Sequence, residues 1–436
     1  MNAKASHSTF HRLESGVRSY SRSFPVVFET ARGCKLTDEH GSEYLDFFAG
    51  AGALNYGHNP PELKAALIDY LSGDGITHSL DMFTAARRQL LETIEARLLA
   101  PRGLRYKVLT PGPTGTNAVE AAMKLARKAT GRTSILGFTN GFHGMTLGSL
   151  SITGNQSKRG GAGVPLNDTV MAPYCGDMGG DGEQSLRWLE MMLSNPSSGM
   201  ETPAAVVVEC IQGEGGARAA TDAWLKGLRE LTRKHGVLLI VDDIQAGCGR
   251  SGDFFSFESA GIVPDMVTLS KSLSGMGLPL SLVLVKEEHD VFHPGEHNGT
   301  FRGFNPAFVT AAAAMERYWS DDRLVRHVRS RSHEARRGLE RMAKERGGTV
   351  SGRGLMLGLR FPKHETAGLV AKACFARGMV IETAGAHDEV LKLLPPLVIT
   401  QAELARGLDI IRSAVEEVLG PVVSQAGEST SGEVHA

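Results

Sequence analysis

The stretch "VLLIVDDIQAGCGRSG", Val237 to Gly252, decides how the rest of the chain is read. An apolar run ends in Asp242 and Asp243. After Ile244, Gln245 and Ala246 comes Gly247-Cys248-Gly249-Arg250-Ser251-Gly252, which spells G-x-G-x-x-G. A dinucleotide fingerprint sets its glycines directly behind a strand, at the opening of a crossover helix. Here polar residues intervene, and the following "DFFSFESAGIVPD" is broken by Gly261 and Pro264, too short for that helix. The glycines therefore read as a turn with close backbone approach. The aspartates become the candidates for chemistry.

Outward from this stretch, strand-like and helix-like segments alternate. "AAVVVE" (Ala204–Glu209), "VLLIVDD" (Val237–Asp243) and "DMVTLS" (Asp265–Ser270) have the apolar character of strands buried on both faces. Lys107–Leu109, "SILGF" (Ser134–Phe138) and "LSLVLV" (Leu280–Val285) read as further strands, and a helix is expected from about Pro306. Asn117–Lys128 has helical spacing and stops near Gly131, with Asn117 and Glu120 as a capping box. The pattern predicts an α/β fold around a mainly parallel sheet flanked by helices. The expected organisation is an N-terminal segment, 1–72, contributing to a small α/β domain; a large domain, 73–320; the C-terminal small domain, 321–423; and a disordered polar tail, 424–436.

Composition removes several classes of function. The net charge of −1 gives no basic field for nucleic acid or an anionic membrane. No apolar run reaches the roughly 20 residues of a membrane helix, and "MNAKASHSTF" has no apolar core of a secretory leader. Five cysteines without C-x-x-C spacing fit a reduced cytoplasm. His7 and His11 lie four apart, but no third ligand is near, so no metal site is expected.

Three of the expected strands end in a polar side chain: Glu209, Asp242 and Lys271. Open α/β sheets bind ligands beyond the carboxyl ends of their strands, so the three can share one site. Pyridoxal 5′-phosphate needs such a set: a lysine amine to carry it and a carboxylate to keep its ring nitrogen protonated. Its phosphate needs backbone donors, which Gly112, Gly115 and Thr116 supply where "TPGPTGTNAVEAAMKLARK" opens a helix.

The motifs "TGTNAVEAAMKLARK", "FTNGFHGMTLG", "VECIQGEGG", "LLIVDDIQAGCGRSG", "TLSKSLSGMGLP" and "HNGTFRG" together resemble the class III aminotransferases of fold type I, from about Gly33 to Gly420. The resemblance implies that Lys271 carries the cofactor, Asp242 faces its ring nitrogen and Gln245 its phenolic oxygen. Phe142 would stack on the ring with His143 beside it. Gly115 and Thr116 would hold the phosphate, and Thr300 would reach it from a neighbouring subunit in a homodimer or larger assembly. Glu209 would be the carboxylate that gates the substrate position. "RSFPVVF", "DGITHSLDM" and "GEHNGTFRG" narrow the resemblance to members that move an amino group from L-glutamate to L-aspartate 4-semialdehyde. Their products are 2-oxoglutarate and L-2,4-diaminobutyrate, the latter feeding ectoine synthesis. Transaminases for ornithine or 4-aminobutyrate, an aminomutase or racemase, and a non-catalytic binder on the same fold remain alternatives.

Two positions depart from the family pattern. Met145 stands where many relatives have an arginine for glutamate's distal carboxylate, and Lys392 stands where many have a second arginine. Lysine offers a point charge in place of a bidentate fork. Arg302, two residues beyond Thr300, is either the replacement, since in an extended segment both side chains would point to the partner's site, or a salt-bridge residue of the interface.

Overall fold

The computed structural model describes residues 8–421. His7 and the tail 424–436 lie outside them. Seven strands form the central sheet: β1 (Lys107–Leu109), β2 (Ile135–Phe138), β3 (Thr169–Ala172), β4 (Ala205–Val208), β5 (Leu238–Asp242), β6 (Met266–Leu269) and β7 (Leu282–Val285). Their order is β1-β7-β6-β5-β4-β2-β3. Strand β7 runs antiparallel to both its neighbours, and the other pairings are parallel.

Strand alternation sorts the apolar side chains into two cores. Ala205, Val207, Ile240 and Met266 pack under Ala118, Met123 and Leu125 of the helix Gly115–Thr130. Val206, Val208, Leu239, Val241 and Val267 face the other way, toward Trp224, Leu225 and Leu228 of the helix Asp222–Lys234. Burial on both faces is why these strands read as unbroken apolar runs rather than alternating ones.

The helix behind β1 begins at Gly115, two residues earlier than its apolar spacing indicates. The cap is Thr114 with Asn117: the Asn117 side-chain oxygen accepts from the Thr114 amide (3.1 Å) and hydroxyl (2.8 Å). Glu120 is not part of it. Its carboxylate instead accepts from the Thr146 hydroxyl (2.6 Å) and the Ser149 amide (3.0 Å).

Segments from the N-terminal and C-terminal parts of the chain pair with each other. Phe28–Arg32, Lys35–Asp38 and Glu43–Asp46 form a sheet completed by Met379–Val380, which runs parallel to Glu43–Asp46. Thr349–Arg353, Met356–Arg360, Val390–Leu393 and Glu382–Ala384 form another. The glycine-rich run turns the chain, with left-handed backbone at Cys248 and Gly249. It delivers Arg250 to the junction, where the side chain is fully buried. Arg250 donates to the carbonyls of Leu355 (3.0 Å) and Pro395 and to the Asn55 side chain (2.6 Å).

Candidate active site

Adjacent strands β4, β5 and β6 end at one cavity of about 160 Å³. Its walls include Gly115, Thr116, Phe142, His143, Glu209, Asp242, Gln245 and Lys271, eight residues singled out from the sequence, together with Gly144, Glu214 and Ile244. Asp242 and Asp243 point to opposite faces, as consecutive strand residues do. Asp242 is on the cavity side. Asp243 turns inward and accepts from the Ser256 amide (2.9 Å), and burial pushes its carboxyl up to about 7.

The Asp242 carboxylate is held on both oxygens. One accepts from the Thr268 hydroxyl (3.2 Å) of β6, and the other lies 2.7 Å from Nδ1 of His143. Burial by itself depresses the His143 imidazole. The hydrogen bond to Asp242 and the charges of Asp242 and Glu209 outweigh burial and raise it above its ordinary value. Lys271 opens a tight turn after β6 with φ of +51°, a left-handed conformation that turns its side chain from the strand into the cavity. Its Nζ donates to the Ala51 carbonyl (3.0 Å). Burial lowers the Lys271 ammonium, and Lys392 adds to that, against the opposing charges of Glu214, Glu382 and Asp242.

Part of the cavity wall is built to take an anion. The amides of Gly115 and Thr116, in the first helical turn, have no hydrogen-bond acceptor among the described residues, and such a turn is a ready anion site. The Thr116 hydroxyl joins those of Thr146 and Ser149, each 2.6 Å away. Gly144 (φ +130°) closes over it, where a Cβ would overlap the Thr116 hydroxyl.

Glu209 lines the cavity, but its oxygens accept from the Phe142 amide (3.0 Å) and the Gly213 amide (3.3 Å). Burial raises its carboxyl to about 7. Glu209 thus ties down two loop backbones at the cavity wall, and the carboxylate that meets Lys392 is Glu214. Lys392 Nζ lies 2.7 Å from Glu214 and 3.0 Å from Glu382, and the lysine is completely buried. Burial alone would lower its ammonium; the two carboxylates raise it instead. Glu214 was legible as the second acid of "VECIQGEGG", five residues past Glu209. No local signal marks Glu382, which reaches Lys392 as its directly opposite partner across two antiparallel strands.

Thr300 and Arg302 are not at the cavity of their own chain. Residues Thr300–Gly303 form a 3-10 turn, so the two side chains do not share a direction as an extended segment would require. Arg302 folds back on its own chain, donating to the His297 carbonyl (3.2 Å) and the Asn298 side chain (3.3 Å), with Asp81 at 3.8 Å. Met145 is largely exposed. Lys158, not singled out from the sequence, sits 4.5 Å from the centre of the Phe142 ring.

Residues 17–415 match the family model of the class III aminotransferases. The chain is a class III aminotransferase. A diaminobutyrate–2-oxoglutarate transaminase from Nocardia farcinica is 56% identical over 415 residues, 95% of each chain. One from Oceanobacillus iheyensis is 50% identical over 420 residues, covering 96% of this chain and 98% of that one. Among solved structures, an ornithine aminotransferase from Toxoplasma gondii superposes with a TM-score of 0.81 at 26% identity, covering 96% of each chain. A Bacillus anthracis aminotransferase gives 0.82 at 25% identity, covering 96% of this chain and all of that one.

The cofactor of the aminotransferase is pyridoxal 5′-phosphate. The donor set fits it. A lysine amine and an anchored carboxylate lie on neighbouring strand ends, two unbonded amides open the helix, and the buried Oε1 of Gln245 has no partner among the described residues. The Gln245 Nε2 donates to the Ala51 carbonyl (3.0 Å), and a Cβ at position 213 would occupy the space of its Oε1. Among the described residues no group of side chains could hold a metal ion, and no helix is long and apolar enough to cross a membrane.

Proposed function

We propose that the aminotransferase moves the amino group of L-glutamate to L-aspartate 4-semialdehyde, giving 2-oxoglutarate and L-2,4-diaminobutyrate. Identity of 50–56% along nearly the whole chain to enzymes named for diaminobutyrate and 2-oxoglutarate carries the reading. We place it at the first step of ectoine synthesis, in the cytoplasm. The division into a large domain, 73–320, and a small one from 1–72 and 321–423 belongs to the same proposal.

Bound pyridoxal phosphate supplies an electron sink for the carbanion left when a substrate carbon loses its proton. The protein's part is to hold, orient and move protons. Gly115 and Thr116 hold the phosphate through amides and a hydroxyl. Phe142 and Gln245 line the same cavity and would hold the ring and its phenolic oxygen. Asp242 keeps the ring nitrogen protonated, and His143 fixes the angle of that carboxylate. Lys271 would hold the cofactor, and its amine would move the proton at the reacting carbon. Its depressed ammonium favours the neutral amine that both tasks need. Thr300, exposed and away from its own cavity, reaches the phosphate of a partner subunit, so the working unit is at least a dimer.

The test is a donor series with the purified protein and 2-oxoglutarate: L-2,4-diaminobutyrate, L-ornithine, 4-aminobutyrate and L-lysine at equal concentration. The reading requires diaminobutyrate to give the highest kcat/KM, with L-aspartate 4-semialdehyde as product. Preference for ornithine or 4-aminobutyrate, or turnover without 2-oxoglutarate, overturns it.

A further inference from the structure

The loop that carries Phe142 and His143 also fixes a cation beside the cavity. After the short helix Leu147–Ser151 the chain returns along this loop. The His143 amide donates to the Thr153 hydroxyl (3.0 Å), that hydroxyl lies 3.2 Å from the Gly144 carbonyl, and the Gly154 amide donates to the Gly141 carbonyl (2.8 Å). Arg159 clamps the same segment: one guanidinium nitrogen donates to the carbonyls of Leu150 (3.1 Å), Ser151 (2.7 Å) and Thr153 (3.0 Å). The Asn155 side chain accepts from the Lys158 amide (3.1 Å) and so sets where the next turn begins. These contacts hold Lys158 in register with Phe142, and its Nζ lies 4.5 Å from the centre of that ring. Lys158 is half-buried, and among the described residues its ammonium has neither a carboxylate within ion-pair distance nor a hydrogen-bond acceptor. An aromatic face holds a cation less firmly than a carboxylate does. Phe142 and Glu214 both line the cavity, and the charge of Lys158 reaches Glu214, so the ammonium stands beside the cavity and not on a remote surface. The other cations described above are engaged: Lys271 is the amine for the cofactor, Lys392 lies between two carboxylates, and Arg302 folds back on its own chain.

We propose that Lys158 anchors the carboxylate at the remote end of both amino donors. For one of the two, the inference rests on the diaminobutyrate reading. L-Glutamate reacts at its α-carbon, and its side-chain carboxylate carbon lies three bonds away. L-2,4-Diaminobutyrate reacts at C4, and its α-carboxylate carbon also lies three bonds from the reacting carbon. The keto partners, 2-oxoglutarate and L-aspartate 4-semialdehyde, keep the same spacing. One cation at one distance therefore serves both half-reactions. A lysine suits this task. Its point charge on a flexible four-carbon stem can follow a carboxylate attached to a methylene in one substrate and to an amine-bearing carbon in the other, where a planar fork would demand one orientation. Met145, on the same loop, is uncharged and exposed and supplies no such contact. L-Ornithine, one methylene longer, carries its carboxylate past this position.

The test uses the full-length, cofactor-loaded enzyme and its Lys158→Met and Lys158→Arg variants, with each substrate paired to a truncated form. 2-Aminobutyrate is glutamate without the side-chain carboxylate, and 1,3-diaminopropane is diaminobutyrate without the α-carboxylate. Single half-reactions are followed by the absorbance of the cofactor. In Lys158→Met, kcat/KM falls about tenfold or more for glutamate and for diaminobutyrate, the range of a hydrogen bond between charged groups. It stays level for 2-aminobutyrate and 1,3-diaminopropane. Calorimetry with glutarate, which has both carboxylates of glutamate and no amine, shows a matching loss of affinity. Lys158→Arg, which keeps the charge, recovers part of the loss. Equal losses for full and truncated substrates, a loss confined to one half-reaction, or unchanged kinetics in Lys158→Met overturn the anchor. So does a loss of cofactor affinity with KM unchanged, which makes Lys158 a support for the Phe142 ring. If wild type turns over ornithine and not diaminobutyrate, the functional reading fails instead, and the pair of glutamate and 2-aminobutyrate decides for or against Lys158.

Discussion

Lys392→Met removes the one cation between Glu214 and Glu382 while keeping most of the side-chain volume. In the native protein burial alone would raise the Glu214 carboxyl; Lys392, Lys271 and the hydrogen bond to Lys392 reverse this and hold it at about 2, against an ordinary 4.5. A carboxyl depressed that far contributes about 3 kcal/mol of stability, in line with the ~3–5 kcal/mol lost when one partner of a buried pair is removed. The sign follows from the direction of the shift. The contribution is complete above pH 4.5 and is lost as pH falls from there toward 2. Glu382 behaves oppositely: burial raises it, and it takes its proton first. In the methionine variant Lys271 is the main cation left to oppose burial, so both carboxyls rise and the protein is destabilised most at neutral pH. Urea unfolding at fixed protein concentration, from pH 7.5 down to pH 4, should show a loss of about 3 kcal/mol at pH 7.5 that shrinks as both carboxyls protonate. A loss under about 1 kcal/mol at pH 7.5, the size of an exposed pair, or one that does not change with pH, refutes the reasoning.

Lys271→Ala should abolish the visible absorbance of lysine-bound cofactor together with turnover; a variant that keeps both shows that another lysine carries it. Asp242→Asn should retain cofactor by equilibrium dialysis but slow proton abstraction by about two to three orders of magnitude, the effect of losing one preorganised electrostatic partner. Near-native rates would point to Asp243. Thr300→Ala should weaken cofactor retention by about 1 kcal/mol or somewhat more in an assembly of unchanged size, and cofactor loss on dilution should follow dissociation of the assembly. Arg302→Met should lower thermal stability and affect the two half-reactions equally, because the guanidinium is anchored within its own chain. A rise in KM confined to glutamate would restore Arg302 to the substrate.

The parts of the site that lie at strand ends were legible because a buried parallel strand announces itself and its final residue is fixed by the sheet. That rule brings Asp242 and Lys271 to one site; the pleat sends Asp242 and Asp243 to opposite faces, and it is the structure that puts Asp242 on the cavity side. The edge strand Thr169–Ala172 was not seen, because its half-buried "TVMA" has no run to mark it. Loop geometry was also hidden. The 3-10 turn at Thr300–Gly303 redirects Arg302, and nothing in "GTFRG" distinguishes it from an extended segment. Glu209 and Glu214 look alike in sequence. Which one meets Lys392 depends on a strand nearly two hundred residues away, and so on long-range pairing that periodicity cannot report.

Arg250 acts mechanically as a rivet. It is a buried cation whose hydrogen bonds join the turn after β5 to Asn55 near the N-terminus and to Leu355 and Pro395 in the C-terminal part. None of these partners is a carboxylate, and burial drags the guanidinium down to about 9. Hinging one part of the chain away from the other would strip a buried charge of its donors' acceptors all at once. The rivet therefore confines adaptation to what lies on the cavity side of it. An enzyme that must take two differently shaped amino acids in alternation, with its frame pinned, has to do so by rearranging side chains rather than by opening and closing domains.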